Sequence, residues 1–249
     1  MNTYEVIALL FLFVLFAPLL GLTTVRLRRG WRPVLRPISA FRTLPGQVGR
    51  SAETGQTLHV ALGSGGLGGS EAAASLAALS ALRAFAEEGA ATETPPLVTV
   101  GEATLLPVAQ GVVQRAYRHQ GAPASFKMTQ VQLVAPGALP YAAGTMHLLK
   151  RGQISANVML GTFGLEAAFI TRGGAEAGLE QVAGTGRLEG LSVFYTSADD
   201  LLIGEELFAV GAYLRQRIAD IASLVTQDLI RFLLVLVILA AVLVKTLLG

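Results

Sequence analysis

Two long apolar runs bracket the chain, and between them short β-branched runs alternate with longer amphipathic ones. Residues 6–25, VIALLFLFVLFAPLLGLTTV, are uncharged. At about 1.5 Å per residue such a helix spans the roughly 30 Å hydrocarbon core of a bilayer. A cleaved signal peptide is the rival reading, disfavoured because Glu5 and no Lys or Arg precedes the run and no A-x-A-like site follows it. Residues 229–248, LIRFLLVLVILAAVLVKTLL, form a second candidate span, with Arg231 and Lys245 near its ends, where long side chains reach the interface. A buried core helix is the alternative there, but residues 232–244 carry no polar face.

Between these runs the pattern predicts strands at 58–62, 97–100, 131–135, 156–160, 180–183 and 191–195. Helix-compatible stretches at 70–88, 103–119, 139–151 and 165–177 follow the first four. Connections of that length are crossovers, which makes the first four strands parallel. Residues 184–190 are too few for a packed helix, so the fifth and sixth strands read as an antiparallel edge or a helix-free crossing. A last helix is expected over 203–217. The predicted fold is α/β: a Rossmann-like, mostly parallel sheet in a cytoplasmic domain flanked by N- and C-terminal transmembrane helices. Its expected boundaries are 1–25 and 229–249 for the spans, 26–50 for a juxtamembrane arm and 51–228 for the domain.

Composition sharpens the membrane reading, because 52% apolar with 14% charged residues is too apolar for a simple soluble domain. Arg26, Arg28, Arg29, Arg32, Arg36 and Arg42 follow the first run with no acid among them, and the positive-inside rule puts that flank in the cytoplasm. Both termini then lie outside, which describes a multi-pass protein of the inner membrane. Residues 50–231 hold 12 basic against 16 acidic residues, so the basicity is local. Trp31, Pro33, Pro37 and Pro45 make the arm read as an extended connector on anionic lipid rather than a helix. A net charge of +2 excludes a dedicated nucleic-acid binder. The lack of cysteine excludes disulfides, thiolate metal sites and a cysteine nucleophile, and three histidines leave little for a transition metal.

Candidate chemistry concentrates after the first strand, in GSGGLGG at 63–69. Gly63, Gly65 and Gly68 fill a G-x-G-x-x-G pattern between strand and helix, with Ser64 and Gly66 between them and Ser70 as the expected N-cap. Such a loop lets the backbone approach a pyrophosphate at a helix N-terminus. The acid expected on a ribose is Glu102, 34 residues beyond the third glycine where about 20 is usual. Glu87 and Glu88 have the spacing but end a helix. The cofactor-binding set is therefore Gly63, Ser64, Gly65, Gly66, Gly68, Ser70 and Glu102. Its ligand would be a nucleotide, dinucleotide or other small anion, and a tight structural turn is the competing explanation. No G-K-[ST] or G-x-S-x-G occurs, which excludes a P-loop and disfavours a serine hydrolase. His59 reads as a structural strand histidine rather than a base. Asp199, Asp200, Glu205 and Glu206 read as caps of a helix start rather than a cation site, and Glu166 reads similarly.

The segments RPISAF (36–41), LPGQVGRSAETGQTLHVALGSGGLGG (44–69) and IGEELFAVGAYL (203–214) resemble an uncharacterised family of short membrane-anchored bacterial proteins of Chloroflexota-type genomes. The resemblance runs along nearly the whole chain. It implies a shared architecture and transfers no activity, substrate or site residue. Without a nucleophile–base pair, a metal set or a complete cofactor fingerprint, the chain reads as a non-enzymatic, self-associating membrane scaffold whose partners are lipid and its own copies. The alternative is a nucleotide- or dinucleotide-binding sensor or oxidoreductase-like enzyme using the glycine loop. A small subunit of a larger membrane complex is a third reading.

Overall fold

The computed structural model describes residues 3–248. In chain order the elements are α1 (Thr3–Arg28), α2 (Ser39–Thr54), β1 (Thr57–Gly63), α3 (Ala72–Ala91), β2 (Leu97–Val100), α4 (Leu105–His119), β3 (Val131–Leu133), α5 (Ala138–Arg151), β4 (Ile154–Thr162), α6 (Ala167–Glu176), β5 (Glu180–Thr185), α7 (Leu188–Ser197), β6 (Asp200–Ile203) and α8 (Ile218–Leu248). They form two units, one made of α1 and α8 with their flanks, the other of Pro37–Arg215.

In the first unit, α8 is long and apolar enough over Ile218–Leu247 to cross a membrane. From Phe232 to Val244 its surface is apolar and uncovered on every side, unlike that of a core helix. Towards its start α8 packs on α1 through buried hydroxyls. Thr23 Oγ1 and Thr226 Oγ1 lie 2.8 Å apart, and each also reaches a backbone carbonyl one turn earlier on its own helix. Shared hydroxyl hydrogen bonds of this kind hold two packed helices close together. The first expected span, residues 6–25, falls within α1, the side chains of residues 7–12 lying outside the described ones; among the described residues one helix, α8, has the length and apolarity of a span.

The second unit is a six-stranded sheet in the order β3-β2-β1-β4-β5-β6, and every pair is parallel. The first five expected strands are present, and α3 to α6 are the expected crossovers. The sixth is not where the sequence placed it. Residues 191–195 belong to α7, which buries Gly190 and Phe194, four positions apart on one helical face. The edge strand is β6, paired in parallel with β5, so residues 184–190 lead into a real crossover helix rather than an antiparallel turn. Asp199 enters that strand instead of starting a helix: its N–H donates to the Gln181 carbonyl at 2.9 Å and its carboxylate accepts the Gln181 N–H at 2.7 Å. Helix 203–217 is replaced by a 3-10 segment, Gly204–Ala209, and a π turn, Gly211–Arg215. Glu206 does act as a cap there, accepting the Ile203 N–H at 2.9 Å.

The arm also departs from expectation. Residues 31–38 carry no regular structure, but Ser39–Thr54 is a helix despite Pro45. Its buried positions, Ala40, Phe41, Leu44, Gln47, Val48 and Ser51, follow the 3.6-residue period. Phe41 stacks on Tyr213 with ring centroids 4.4 Å apart. Pro45 sits on the exposed side and removes one N–H, a loss smaller than what the buried face contributes.

Candidate functional site

Strands β1, β2, β4 and β5 end on one edge of the sheet, and the strand order switches sides between β1 and β4, which lie side by side in parallel. Doubly wound domains hold ligands at that crevice. Gly63, the last residue of β1, has φ +80°, and a Cβ there would lie 2.2 Å from the Thr162 carbonyl oxygen. Only glycine lets the end of β1 close on β4 in this way. The Ser64 N–H donates to that same carbonyl at 3.1 Å, and the Gly101 N–H donates to the Gly63 carbonyl at 2.9 Å, tying the ends of three strands together. At Gly65 a Cβ would lie 2.3 Å from Thr162 Oγ1, and at Gly66 one would lie 3.1 Å from Glu102 Cγ. Gly68 has open space around it. Ser70 is exposed in a 3-10 turn, Gly69–Glu71, that precedes α3; neither Gly68 nor Glu71, the residues before the two helical starts, makes a side-chain cap.

Part of the expected set thus meets at one place: Gly63 and Gly65 lie against Thr162 at the end of β4 and Glu102 lies beside Gly66, while Gly68 and Ser70 stay open. The charge around them is acidic. Arg187 approaches Glu71 at 3.7 Å and Glu189 at 3.5 Å. Glu166, only 8% exposed, accepts the Gly164 N–H at 2.8 Å and the Ser64 hydroxyl at 3.5 Å. Two donors at the crevice, the Gly164 N–H and the Ser64 hydroxyl, are thereby engaged by the chain's own carboxylate, and the carboxylates of Glu71 and Glu102 stand near Gly65 and Gly66. Among the described residues no group of three or more His, Cys, Asp or Glu is placed to hold a metal ion.

Beneath the edge runs a chain of buried polar groups that local sequence gave no reason to expect. Gln181 Nε2 donates to the Thr171 carbonyl at 3.0 Å, and that fixed acceptor orients everything upstream. Gln181 Oε1 accepts from Asn157 Nδ2 at 3.1 Å, so Asn157 Oδ1 must accept from His59 Nδ1–H at 2.7 Å. His59 Nε2 is then an acceptor and receives the Thr99 hydroxyl at 3.0 Å, while the Tyr141 hydroxyl, 3.1 Å away, donates to Thr99. His59, Thr99, Tyr141 and Asn157 are fully buried, and Gln181 nearly so. Burial pulls His59 down to about 4, against the raising effect of its bond to Asn157. Burial likewise pushes the Tyr141 phenol up to about 12, opposed by its hydrogen bonds and reinforced by the Glu166 charge. Both groups are neutral at pH 7. His59 is accordingly a hydrogen-bonded strand histidine, and nothing at the chemical edge touches its nitrogens.

The fold is a doubly wound, all-parallel α/β domain whose glycine-rich switch-point loop is packed on its own β4. By sequence the chain belongs to the family described as a domain of unknown function (DUF6754), whose sequence model matches residues 1–249. No curated protein and no solved structure matches it. The match agrees with the resemblance read from the sequence in one respect, that the family is uncharacterised.

Proposed function

We propose that this chain is a two-pass protein of the bacterial inner membrane whose cytoplasmic α/β domain serves as a self-associating assembly or scaffold module. The observation that carries the anchoring is the uncovered apolar surface of α8 beyond Phe232, which water would not tolerate at such extent. Helix α1 supplies the second span in this reading, and the six arginines that follow residue 25 orient both spans with the domain inside. The assembly role is supported at the carboxyl edge. There Thr162 packs against Gly63 and Gly65, and Glu166 accepts the Ser64 hydroxyl, from within the chain. Exposed Leu139, Leu165, Phe169 and Leu188 stand at the starts of α5, α6 and α7, an apolar group that a second copy held in the same membrane would cover. A nucleotide-binding sensor or oxidoreductase-like enzyme is the second reading, favoured by the position of Glu102 beside Gly66.

The chain has no cysteine, so single-cysteine reporters test the topology directly. In spheroplasts, Asn2→Cys is expected to react with a membrane-impermeant thiol reagent, and Ala175→Cys, exposed on α6, only after the membrane is permeabilised. Labelling of Ala175→Cys in intact spheroplasts would refute the cytoplasmic placement.

A further inference from the structure

The end of α1 carries a dense positive charge that the chain does not balance. Between residues 26 and 36 stand five arginines and no acid. Arg26, Arg28, Arg29 and Arg32 are exposed, and among the described residues none of these four pairs with a carboxylate. Elsewhere the chain supplies its own counter-charge: Arg50 meets Glu180 at 2.6 Å, Arg83 meets Glu87 at 2.8 Å, and Arg187 approaches Glu71 and Glu189. A helix dipole favours cations at the C-terminus, but only within the last turn. Like charges one turn apart, as at Arg26 and Arg29, repel. Four guanidiniums within seven residues therefore exceed what the helix end uses.

An aromatic ring is fixed beside them. Gly30, with φ +95°, closes α1: its N–H donates to the Leu27 carbonyl at 3.1 Å, and the Trp31 N–H donates to the Arg26 carbonyl at 3.2 Å. These are the paired bonds of a Schellman motif, so the backbone of Trp31 is pinned to the arginine cluster rather than trailing in a loose connector. Trp31 is nevertheless 43% exposed, and Val34 is 99% exposed. An uncovered indole among cations suits a membrane interface, where the ring body meets apolar material and the N–H meets water. The cluster begins three residues after Thr23, where α1 touches α8, the helix that carries the uncovered apolar run.

We propose that the end of α1 and the connector after it form a collar for anionic phospholipid headgroups, with the guanidiniums of Arg26, Arg28, Arg29 and Arg32 on lipid phosphates and Trp31 among the headgroups. The planar donor fork of arginine matches phosphate oxygens in pairs. This assignment names the lipid partner of the anchored reading above and rests on it. Trp31 is the single tryptophan of the chain, so its fluorescence reports the collar without a label. Full-length protein is placed in nanodiscs of phosphatidylcholine with rising fractions of phosphatidylglycerol, and quenching of Trp31 by aqueous acrylamide is followed. Quenching is expected to fall saturably as phosphatidylglycerol rises. The fall is expected to be lost in about 1 M salt, where the screening length is about 3 Å. Arg28→Gln and Arg29→Gln, at exposed positions, are each expected to raise the half-saturating fraction about fivefold, the effect of one basic residue near an anionic surface. Equal quenching in the two lipids, for a protein that membranes retain through alkaline carbonate extraction, would overturn the collar and leave the anchoring in place. So would a fall undiminished in the Arg28→Gln/Arg29→Gln double variant. An equal fall caused by a single-stranded oligonucleotide in pure phosphatidylcholine discs would also overturn it, in favour of nucleic acid. Release of the chain by carbonate would overturn the anchored reading and the collar with it.

Discussion

Replacing Gly63 by alanine is expected to destabilise the α/β domain by about 3–5 kcal/mol, whereas the same replacement at Gly68 is expected to change stability by less than about 1 kcal/mol. At Gly63 the penalty has two sources. The φ of +80° costs an L-residue about 1–2 kcal/mol. The new methyl would also stand 2.2 Å from the Thr162 carbonyl oxygen, a backbone atom that no rotamer change can move. Relief requires the ends of β1 and β4 to separate, and that breaks the Ser64-to-Thr162 hydrogen bond and disturbs the Gly101-to-Gly63 one. A loss of this size is a large part of the total stability of an ordinary domain, about 5–15 kcal/mol. At Gly68, φ is −101° and nothing lies within 4 Å, so alanine meets no obstacle. Denaturant unfolding of the two variants checks the contrast, and equal losses at the two positions would contradict it. Gly68→Ala is also the clean probe of nucleotide binding: it leaves the fold intact while placing a methyl where a phosphate would approach the loop.

The second large effect is a dependence of stability on pH that originates at His59. In the folded protein its pKa is lowered to about 4, while in the unfolded chain it is close to 6.5. Above about pH 6.5 neither state holds the proton, and the full stability is present. Between about pH 6.5 and 4 the unfolded state holds more protons than the folded one, so stability falls as pH falls, by up to about 1.4 kcal/mol per unit and about 3 kcal/mol in all. Protonation would also place a hydrogen on Nε2, where the Thr99 hydroxyl now donates; that hydroxyl would have to turn, and the donation running from Tyr141 would reverse with it. His59→Gln is expected to remove this slope while lowering stability at pH 7, because the ladder is then imperfectly filled. Urea unfolding of wild type and variant across pH 4–7 reads the difference. An imidazole resonance of His59 titrating near 6.5 in the folded protein would contradict the account.

The strands from β1 to β5 were legible because each is a short apolar run bounded by glycine, proline or a charged helix end, and the helices between them show a helical period. What misled was tertiary compensation. In residues 191–195 the run LSVFY looks like a strand, yet it is helical, with Phe194 buried one turn after Gly190 and Val193 packed against the core from the side. The true edge strand DLLI was hidden behind Asp199 and Asp200, whose charges resemble a helix start until Asp199 is seen to hold the Gln181 backbone. Helix α2 was obscured by Pro45 and by the arginines around it, although its buried 40, 41, 44, 47, 48, 51 spacing was present in the sequence. The glycines of the candidate site could be found by motif, but the partner that requires glycine at 63 and 65 is Thr162, about a hundred residues away. Asn157, Gln181 and Tyr141 carried no local signal, because their significance lies in cross-strand register and in burial.

The central claim, a membrane-anchored self-assembling domain whose glycine loop serves packing on its own β4, is most directly tested by native mass spectrometry of the full-length protein released gently from its own membrane. The account predicts a homo-oligomer that retains no dinucleotide-sized mass. A monomer, or a subunit that keeps an additional mass of several hundred daltons, on the order of a dinucleotide in a switch-point crevice, would contradict it.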